Sequence, residues 1–229
     1  DGRRFLEVVS RITPRKPLVV LKSGRTEEGS RAAMSHTGSL AGSDEIYSAA
    51  FTQVGAVRVD TSQEMLDLAK AFTRLPLPRG ERVGIMTLGG GWGVLATDAV
   101  VQNGLKLARL DEEVMRVCDV HLPPFWSRGN PVDLVGNIYI ETHLAIMEAL
   151  VRSPEVDAVV VLGSLGTGTM IGLNVLVSQN LIFQMSEDSM KAFFADLRGR
   201  NEKFLQKAVE LMQEHDKPIV FVEMQFIGE

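Results

Sequence analysis

Residues 82–100 read RVGIMTLGGGWGVLATDAV, and this stretch decides the fold. Its first part, Arg82 to Thr87, is an apolar run that is typical of a buried strand. Its last part predicts a helix, with four residues facing inward: Val94, Leu95, Ala99 and Val100. The residues between, Gly89 to Gly93, must then form a tight turn from strand to helix. Such a turn is the basic unit of a doubly wound parallel sheet.

The rest of the chain repeats this alternation of strands and helices. Further strands are predicted at residues 17–21, 56–59, 105–110, 158–162 and 219–222. The two prolines and the glycine of Leu75 to Gly80 stop regular structure. We therefore predict an α/β protein of two flavodoxin-like blocks, each a doubly wound parallel sheet, of which the first is incomplete. The predicted domains are residues 1–75 and 82–229, with a linker at 76–81, and residues 164–184 are expected to form a loop with at most one helix.

Composition limits the partners and the compartment. The 229 residues carry a net charge of -5, with a pI near 5.5, which argues against nucleic acid or an anionic membrane as a partner. No apolar run is long enough to span a membrane, and no signal peptide is recognisable. The single cysteine, Cys118, excludes an internal disulfide and a cysteine-rich zinc site. We expect a cytoplasmic protein without a metal site of its own.

One histidine lies among small residues, in the stretch Ser35 to Gly42, which reads SHTGSLAG. Imidazole is a good nucleophile near neutral pH, and glycines let a phosphate approach the backbone. A helix predicted to begin near Ser43 would offer free N–H groups to an anion. The pattern predicts that a loop from Gly24 to Gly42 presents His36 for phosphorylation. A solvated histidine without chemistry is the alternative that the residues alone leave open.

The turn before the second block's first helix is another candidate site. Its residues are Gly89, Gly90, Gly91, Trp92 and Gly93. Strand, glycine turn and helix together aim N–H groups at a phosphate. The turn lacks the Lys-Ser/Thr ending of a P-loop, and its glycine spacing differs from that of a dinucleotide fingerprint. Anion binding and a ligand-free tight turn therefore both remain open.

Two segments resemble the NDP-forming acyl-CoA synthetases, which are relatives of succinyl-CoA synthetase. Residues 16–44, with KPLVVLKSGR and AAMSHTGSLAGSD, resemble the phosphohistidine segment of that family. Residues 82–134, with TLGGGWGV and NPVDL, resemble the succinyl-CoA-ligase-like flavodoxin domain that follows it. The resemblance covers roughly residues 1–163, and it is specific because both motifs occur in their proper order.

The resemblance implies a phosphoryl relay. In this family an acyl-CoA and phosphate yield an acyl phosphate, the phosphoryl group passes to a histidine, and ADP or GDP finally accepts it. His36 matches that histidine. The turn from Gly89 to Gly93 matches the start of one of two helices that hold the phosphate. Lys22 and Arg25 would add positive potential near His36, with a pair of solvated cations as the alternative.

The resemblance also implies what the complete enzyme needs. CoA, ATP or ADP and Mg²⁺ are its cofactors, and this chain alone is expected to bind none of them. The expected partners are phosphate and the CoA-binding and ATP-grasp domains or subunits of the same enzyme, and a homodimer stays open. The acyl substrate and the choice between ADP and GDP are not determined. Two alternatives remain: a noncatalytic regulatory module of a fused protein acetyltransferase, and a flavodoxin-like ligand-binding scaffold.

Overall fold

The computed structural model describes residues 1–37, 43–165 and 186–223, apart from the side chains of Thr37 and Leu197. The chain divides into two compact units, Asp1–Leu75 and Pro76–Glu229. Each unit contains helices and a parallel sheet, which confirms the predicted α/β class. None of the helices in these described ranges combines the length and the apolar character that crossing a bilayer requires.

Within residues 1–37 and 43–75, the first unit has a two-stranded sheet and four helices. Its elements are α1 (Gly2–Ile12), β1 (Val19–Leu21), α2 (Glu27–Thr37), α3 (Asp44–Gln53), β2 (Val57–Val59) and α4 (Ser62–Arg74). The strands are parallel, with Val19 opposite Val57. The hydroxyl of Thr61 caps α4 by accepting the N–H of Glu64 at 3.1 Å. Both strands are short and partly buried, and the incompleteness of this block stays a prediction.

Helix α2 crosses the segment that was predicted to be a loop, Gly24 to Gly42. Its start is specified locally, because the Thr26 hydroxyl accepts the N–H of Gly29 at 3.1 Å. Two glutamates follow Thr26 in the first turn, where the helix dipole favours acidic side chains. The loop prediction is therefore wrong for this helix, and residues 38–42 lie outside the described part of the chain.

The second unit is a larger doubly wound sheet. Its elements are β3 (Arg82–Thr87), α5 (Gly90–Gln102), β4 (Lys106–Leu107), α6 (Glu112–His121), β5 (Val132–Asp133), α7 (Ile140–Arg152), β6 (Ala158–Leu162), α8 (Glu187–His215) and β7 (Ile219–Val222). All pairings are parallel, and the strand order is β4-β3-β6-β7. Strand β5 pairs with the carboxyl half of β3. The central position of β3 puts its turn into α5 at the middle of the sheet's carboxyl edge.

Alternate residues of each strand pack into two separate cores. Along β6, Val159 and Val161 join a large core with α6, α7 and α8. Val160 and Leu162 point to the other face, where they pack with residues of α5. The period of two along a strand produces this division. Most of the buried apolar residues therefore lie on the face opposite α5.

Helix α5 is rotated relative to the sequence prediction. Val100 is buried as predicted, but Val94, Leu95 and Ala99 are exposed, so the prediction is wrong for these three residues. The rotation follows from Gly93, where an added Cβ would lie 3.1 Å from the Pro131 ring. Because glycine permits this close approach without displacing Pro131, the first turn of α5 packs on the sheet through Gly93 rather than through its larger neighbours.

The side chain of Asn130 completes the edge of β3 between β4 and β5. Its oxygen accepts the N–H of Ile85 at 2.9 Å, and its amide donates to the carbonyls of Val83 and Ala108 at 2.8 and 2.9 Å. One side chain thus bonds three backbone groups, of which the Val83 carbonyl also accepts the Ala108 N–H at 2.9 Å. This bridge holds the segment leading to Asp133 against β3 and the end of β4.

Candidate functional site

The turn between β3 and α5 is stabilised by hydrogen bonds to a buried threonine at the end of β3. The Thr87 hydroxyl donates to the Gly89 carbonyl at 2.8 Å and accepts the Gly89 N–H at 3.2 Å. The N–H groups of Trp92 and Gly93 turn back to the same carbonyl, at 3.1 and 3.4 Å. Within the described residues, no hydrogen bond is made by the N–H groups of Gly90 and Gly91. Two free donors therefore stand at the positive end of α5.

The glycines of this turn serve two purposes. A Cβ on Gly90 would come within 2.9 Å of the Asp133 carboxylate, so the glycine lets this carboxylate lie close to the turn. A Cβ on Gly89 or Gly91 would meet no atom within 4 Å. Both of these residues are exposed. Their missing side chains leave the free N–H groups open to solvent, which is the arrangement that binds an anion.

Carboxylates stand at the carboxyl ends of two strands of this sheet, β5 and β7, which β3 and β6 separate. Asp133 ends β5, and one of its oxygens accepts the Val135 N–H at 2.8 Å. Glu223 follows β7, and its Oε1 accepts the Leu165 N–H at 2.8 Å. Burial raises the pKa of the Glu223 carboxyl to about 7. Sequence reasoning assigned neither residue a role, although an acid directly after a predicted parallel strand was a usable signal for Glu223.

His36 lies in the last turn of α2 rather than in a loop, and its side chain is exposed. No hydrogen bond joins its imidazole to another described residue. The ring is accessible to a partner, as the predicted chemistry requires, but through a helix end instead of a glycine loop.

The two cations predicted near His36 have other partners. The Lys22 ammonium lies 4.8 Å from the centre of the Tyr47 ring. The Arg25 guanidinium pairs with Asp60 at 2.5 Å and with Asp44 at 3.8 Å. These contacts commit both side chains to the packing of the first unit. Their electrostatic support of His36 stays a prediction.

Cys118 and His143 have structural rather than chemical roles. Burial raises the pKa of the Cys118 thiol to about 12, which keeps it protonated and unreactive. His143 is buried, its Nε2 lies 2.6 Å from the Asn137 carbonyl, and burial lowers its pKa. In the part of the chain that the structure describes, no three His, Cys, Asp or Glu side chains group as metal ligands.

The two units match two family models in chain order. Residues 1–72 match the succinyl-CoA ligase like flavodoxin domain. Residues 83–220, more than half of the chain, match the Ligase-CoA domain. The first match contains His36, and the second contains the glycine turn.

Relatives of known activity agree with these matches. The chain is 48% identical over 160 residues to the alpha subunit of acetate--CoA ligase [ADP-forming] II of Pyrococcus furiosus, covering 70% of this chain and 35% of that protein. It is 39% identical to 4-hydroxybutyrate--CoA ligase [ADP-forming] of Nitrosopumilus maritimus, covering 88% of this chain and 28% of that one. The chain thus spans about a third of the length of these relatives.

A solved structure has the same fold. It is the dinucleotide forming acetyl-coenzyme A synthetase 1 of Ca. Korarchaeum cryptofilum, in complex with phosphate and ADP. The sequence identity is 38% and the TM-score is 0.64, over 78% of this chain and 39% of that one.

Proposed function

The chain belongs to the NDP-forming acyl-CoA synthetase family, and on that premise we propose that it is the phosphoryl-relay portion of an ADP-forming acid–thiol ligase. The complete enzyme would interconvert acyl-CoA, ADP and phosphate with a carboxylic acid, CoA and ATP. The observation that carries the proposal is the pairing of an exposed histidine with a bare helix start, each inside its own matched family domain.

His36 would act as the nucleophile of the relay. A ring nitrogen attacks the phosphorus of an acyl phosphate, an N–P bond forms, and the bond from phosphorus to the acyl oxygen breaks. The carboxylate leaves with that electron pair. In the second half, an oxygen of the nucleotide diphosphate attacks the same phosphorus and the N–P bond breaks. The exposure of His36 supports this role, because both reaction partners must reach the ring.

The turn at the start of α5 would hold the phosphate. The free N–H groups of Gly90 and Gly91 supply donors, and the helix dipole adds roughly 0.3–2 kcal/mol for an anion at this position. Such modest binding suits a group that has to leave again. Phosphate bound to the related Korarchaeum synthetase supports phosphate as the anion.

The rest of the machinery would lie outside this chain. CoA would be held by a CoA-binding domain or subunit, and the nucleotide with Mg²⁺ by an ATP-grasp domain or subunit. We assign the metal there because the described residues of this chain offer it no ligand cluster. Bound Mg²⁺ would neutralise charge on the nucleotide phosphates. The same proposal places the enzyme in the cytoplasm.

The test is labelling of the complete enzyme with magnesium and γ-labelled ATP. The protein should acquire a phosphate that is acid-labile and base-stable, as a phosphoramidate is, and peptide mapping should place it on His36. His36→Ala and His36→Asn should both abolish the label and acyl-CoA formation. His121→Ala is the matched control, because His121 is also exposed at the carboxyl end of a helix. Normal labelling and turnover in His36→Ala would refute the relay and favour a binding or scaffold role.

A further inference from the structure

In the part of the chain that the structure describes, one face of the second unit's sheet lacks cover at its β7 edge. On the opposite face, α6, α7 and α8 enclose the sheet, and Ile219 of β7 is only 2% exposed. On this face α5 is the helix that packs, and it contacts β3, β4 and β5. The β7 residues that point to this face, Val220 and Val222, are 39% and 49% exposed. Among the described residues, nothing gives these valines the cover that Ile219 has.

A groove of about 440 Å³ runs between α5 and the uncovered strands. We call it the α5 groove. Its helix wall is formed by Trp92, Leu95, Ala96 and Ala99, and its floor by Val160, Leu162 and Val222. The wall residues follow the spacing i, i+3, i+4, i+7, which is the apolar stripe that one helix presents to another. Leu95 in this stripe is 67% exposed, so no residue among those that the structure describes covers the stripe.

Glu223 adds one polar group to this apolar groove. Its Oε1 is engaged by the Leu165 N–H, but its Oε2 is buried and has no hydrogen-bond partner among the described residues. A buried carboxylate oxygen without a donor is costly, and the same burial raises the pKa of the Glu223 carboxyl. A cationic side chain entering the groove would remove the penalty.

We propose that an amphipathic helix from the part of the enzyme outside this chain fills the α5 groove and brings a Lys or Arg side chain to Glu223. A helix here completes the layer that a doubly wound sheet has on each face. The small residues Ala96 and Ala99 permit helices to approach to about 8–10 Å. The matched region is 35% of the Pyrococcus furiosus subunit, so most of such an enzyme is available to supply the helix.

This proposal rests on the complete enzyme proposed above but not on the chemistry of His36. Protection of the groove and phosphorylation of His36 are therefore separate measurements. Either can fail while the other succeeds.

Thiol labelling tests directly whether the α5 groove is covered in the complete enzyme. Ala99→Cys places a thiol in the groove, and Asp98→Cys is the matched control, since Asp98 is exposed on α5 and does not line the groove. Cys118 is buried and stays silent. Iodoacetamide labelling rates are compared between the 229-residue chain and a complete enzyme in which other reactive cysteines are serine. Leu95→Cys is a second groove position, in case Ala99→Cys misfolds.

In the 229-residue chain, the groove and control thiols should react at similar rates. In the complete enzyme, the groove thiol should react at least about tenfold more slowly while the control is unchanged. Equal rates in the complete enzyme would overturn the proposal. Protection already present in the 229-residue chain would also overturn the proposal, because the chain would then cover its own groove. If that protection rises with protein concentration, the cover is a second copy of the chain.

Charge variants test the predicted cation. In the complete enzyme carrying Ala99→Cys, Glu223→Gln should leave the thiol protected, because an amide oxygen still accepts a hydrogen bond. Glu223→Lys should expose it, because two cations would meet in an apolar groove. Persistent protection in Glu223→Lys would overturn the assignment of a Lys or Arg to this position.

Discussion

The indole of Trp92 occupies the space that a side chain on Gly163 would need. A Cβ at residue 163 would lie 2.5 Å from Cζ3 of Trp92, and Gly163 has a φ of +72°. The end of β6 and the first turn of α5 therefore pack closely against each other, and this packing depends on residue 163 having no side chain.

Gly163→Ala should consequently destabilise the second unit for two reasons. The left-handed backbone costs about 1–2 kcal/mol for a residue with a Cβ, and overpacking against the indole adds about 1–3 kcal/mol. Urea unfolding followed by tryptophan fluorescence measures this, because Trp92 and Trp126 both lie in the second unit. Gly104→Ala is the control: its φ is +76° but its Cβ would meet nothing within 4 Å. Equal losses in the two variants would disprove the packing contribution.

Gly91→Pro should remove one donor of the proposed phosphate site with little damage to the helix. Proline is tolerated in a first helical turn, where its missing N–H had no partner. Losing a charge-assisted hydrogen bond of about 1.5–3 kcal/mol should weaken phosphate binding roughly ten- to a hundredfold. Gly91→Ala keeps the N–H and has open space for its methyl group. Titration with inorganic phosphate, followed by the amide NMR signals of the turn, should separate the two variants, and identical affinities would count against this site.

Glu223 should make the stability of the second unit fall as the pH rises. Its pKa is about 7 in the folded chain against 4.5 for an ordinary glutamate. Because the folded pKa is raised, its contribution is fully present below pH 4.5 and is lost as the pH approaches 7, by at most about 3 kcal/mol. Glu223→Gln should not show this loss. Urea unfolding between pH 4.5 and 8 measures the difference, and the exposed Glu210→Gln should retain the wild-type slope.

His143 should make the stability of the second unit fall as the pH falls, which is opposite to the effect of Glu223. Burial lowers its pKa below 6.5, so the unfolded chain binds the proton first and stability is lost as the pH falls through that value. His143→Gln can still donate to the Asn137 carbonyl but cannot titrate, and its stability should therefore depend less on pH between about 7 and 5. The exposed His121→Gln serves as its control. A wild-type slope in His143→Gln would show that another group is responsible.

Local sequence was sufficient for the order of the elements. Apolar runs and helical periodicity placed β3, β6 and β7 within one or two residues of their structural positions, because these signals depend on neighbours along the chain. The start of α2 was also encoded locally, in Thr26 and the glutamates after it. The loop prediction was wrong because it gave the glycines of that region more weight than the helix cap at Thr26.

Local sequence signals could not predict contacts between residues that are distant in the chain. The rotation of α5 depends on Gly93 meeting Pro131, and the edge of β3 depends on an amide 45 residues further on. The raised pKa of Glu223 depends on burial by elements that precede it by many residues. No pattern within one element contains the distances that decide these features.

By itself the sequence determined the alternating α/β order, the glycine turn that begins α5, and the motifs that carry the family resemblance, because each is written in a short continuous segment. Only the tertiary structure decided which N–H groups of that turn are free, that His36 sits at a helix end, and that one face of the sheet keeps an open groove beside Glu223. The first two features follow from hydrogen bonds within short segments that sequence patterns do not report, and the groove arises because residues far apart in the chain meet only on folding.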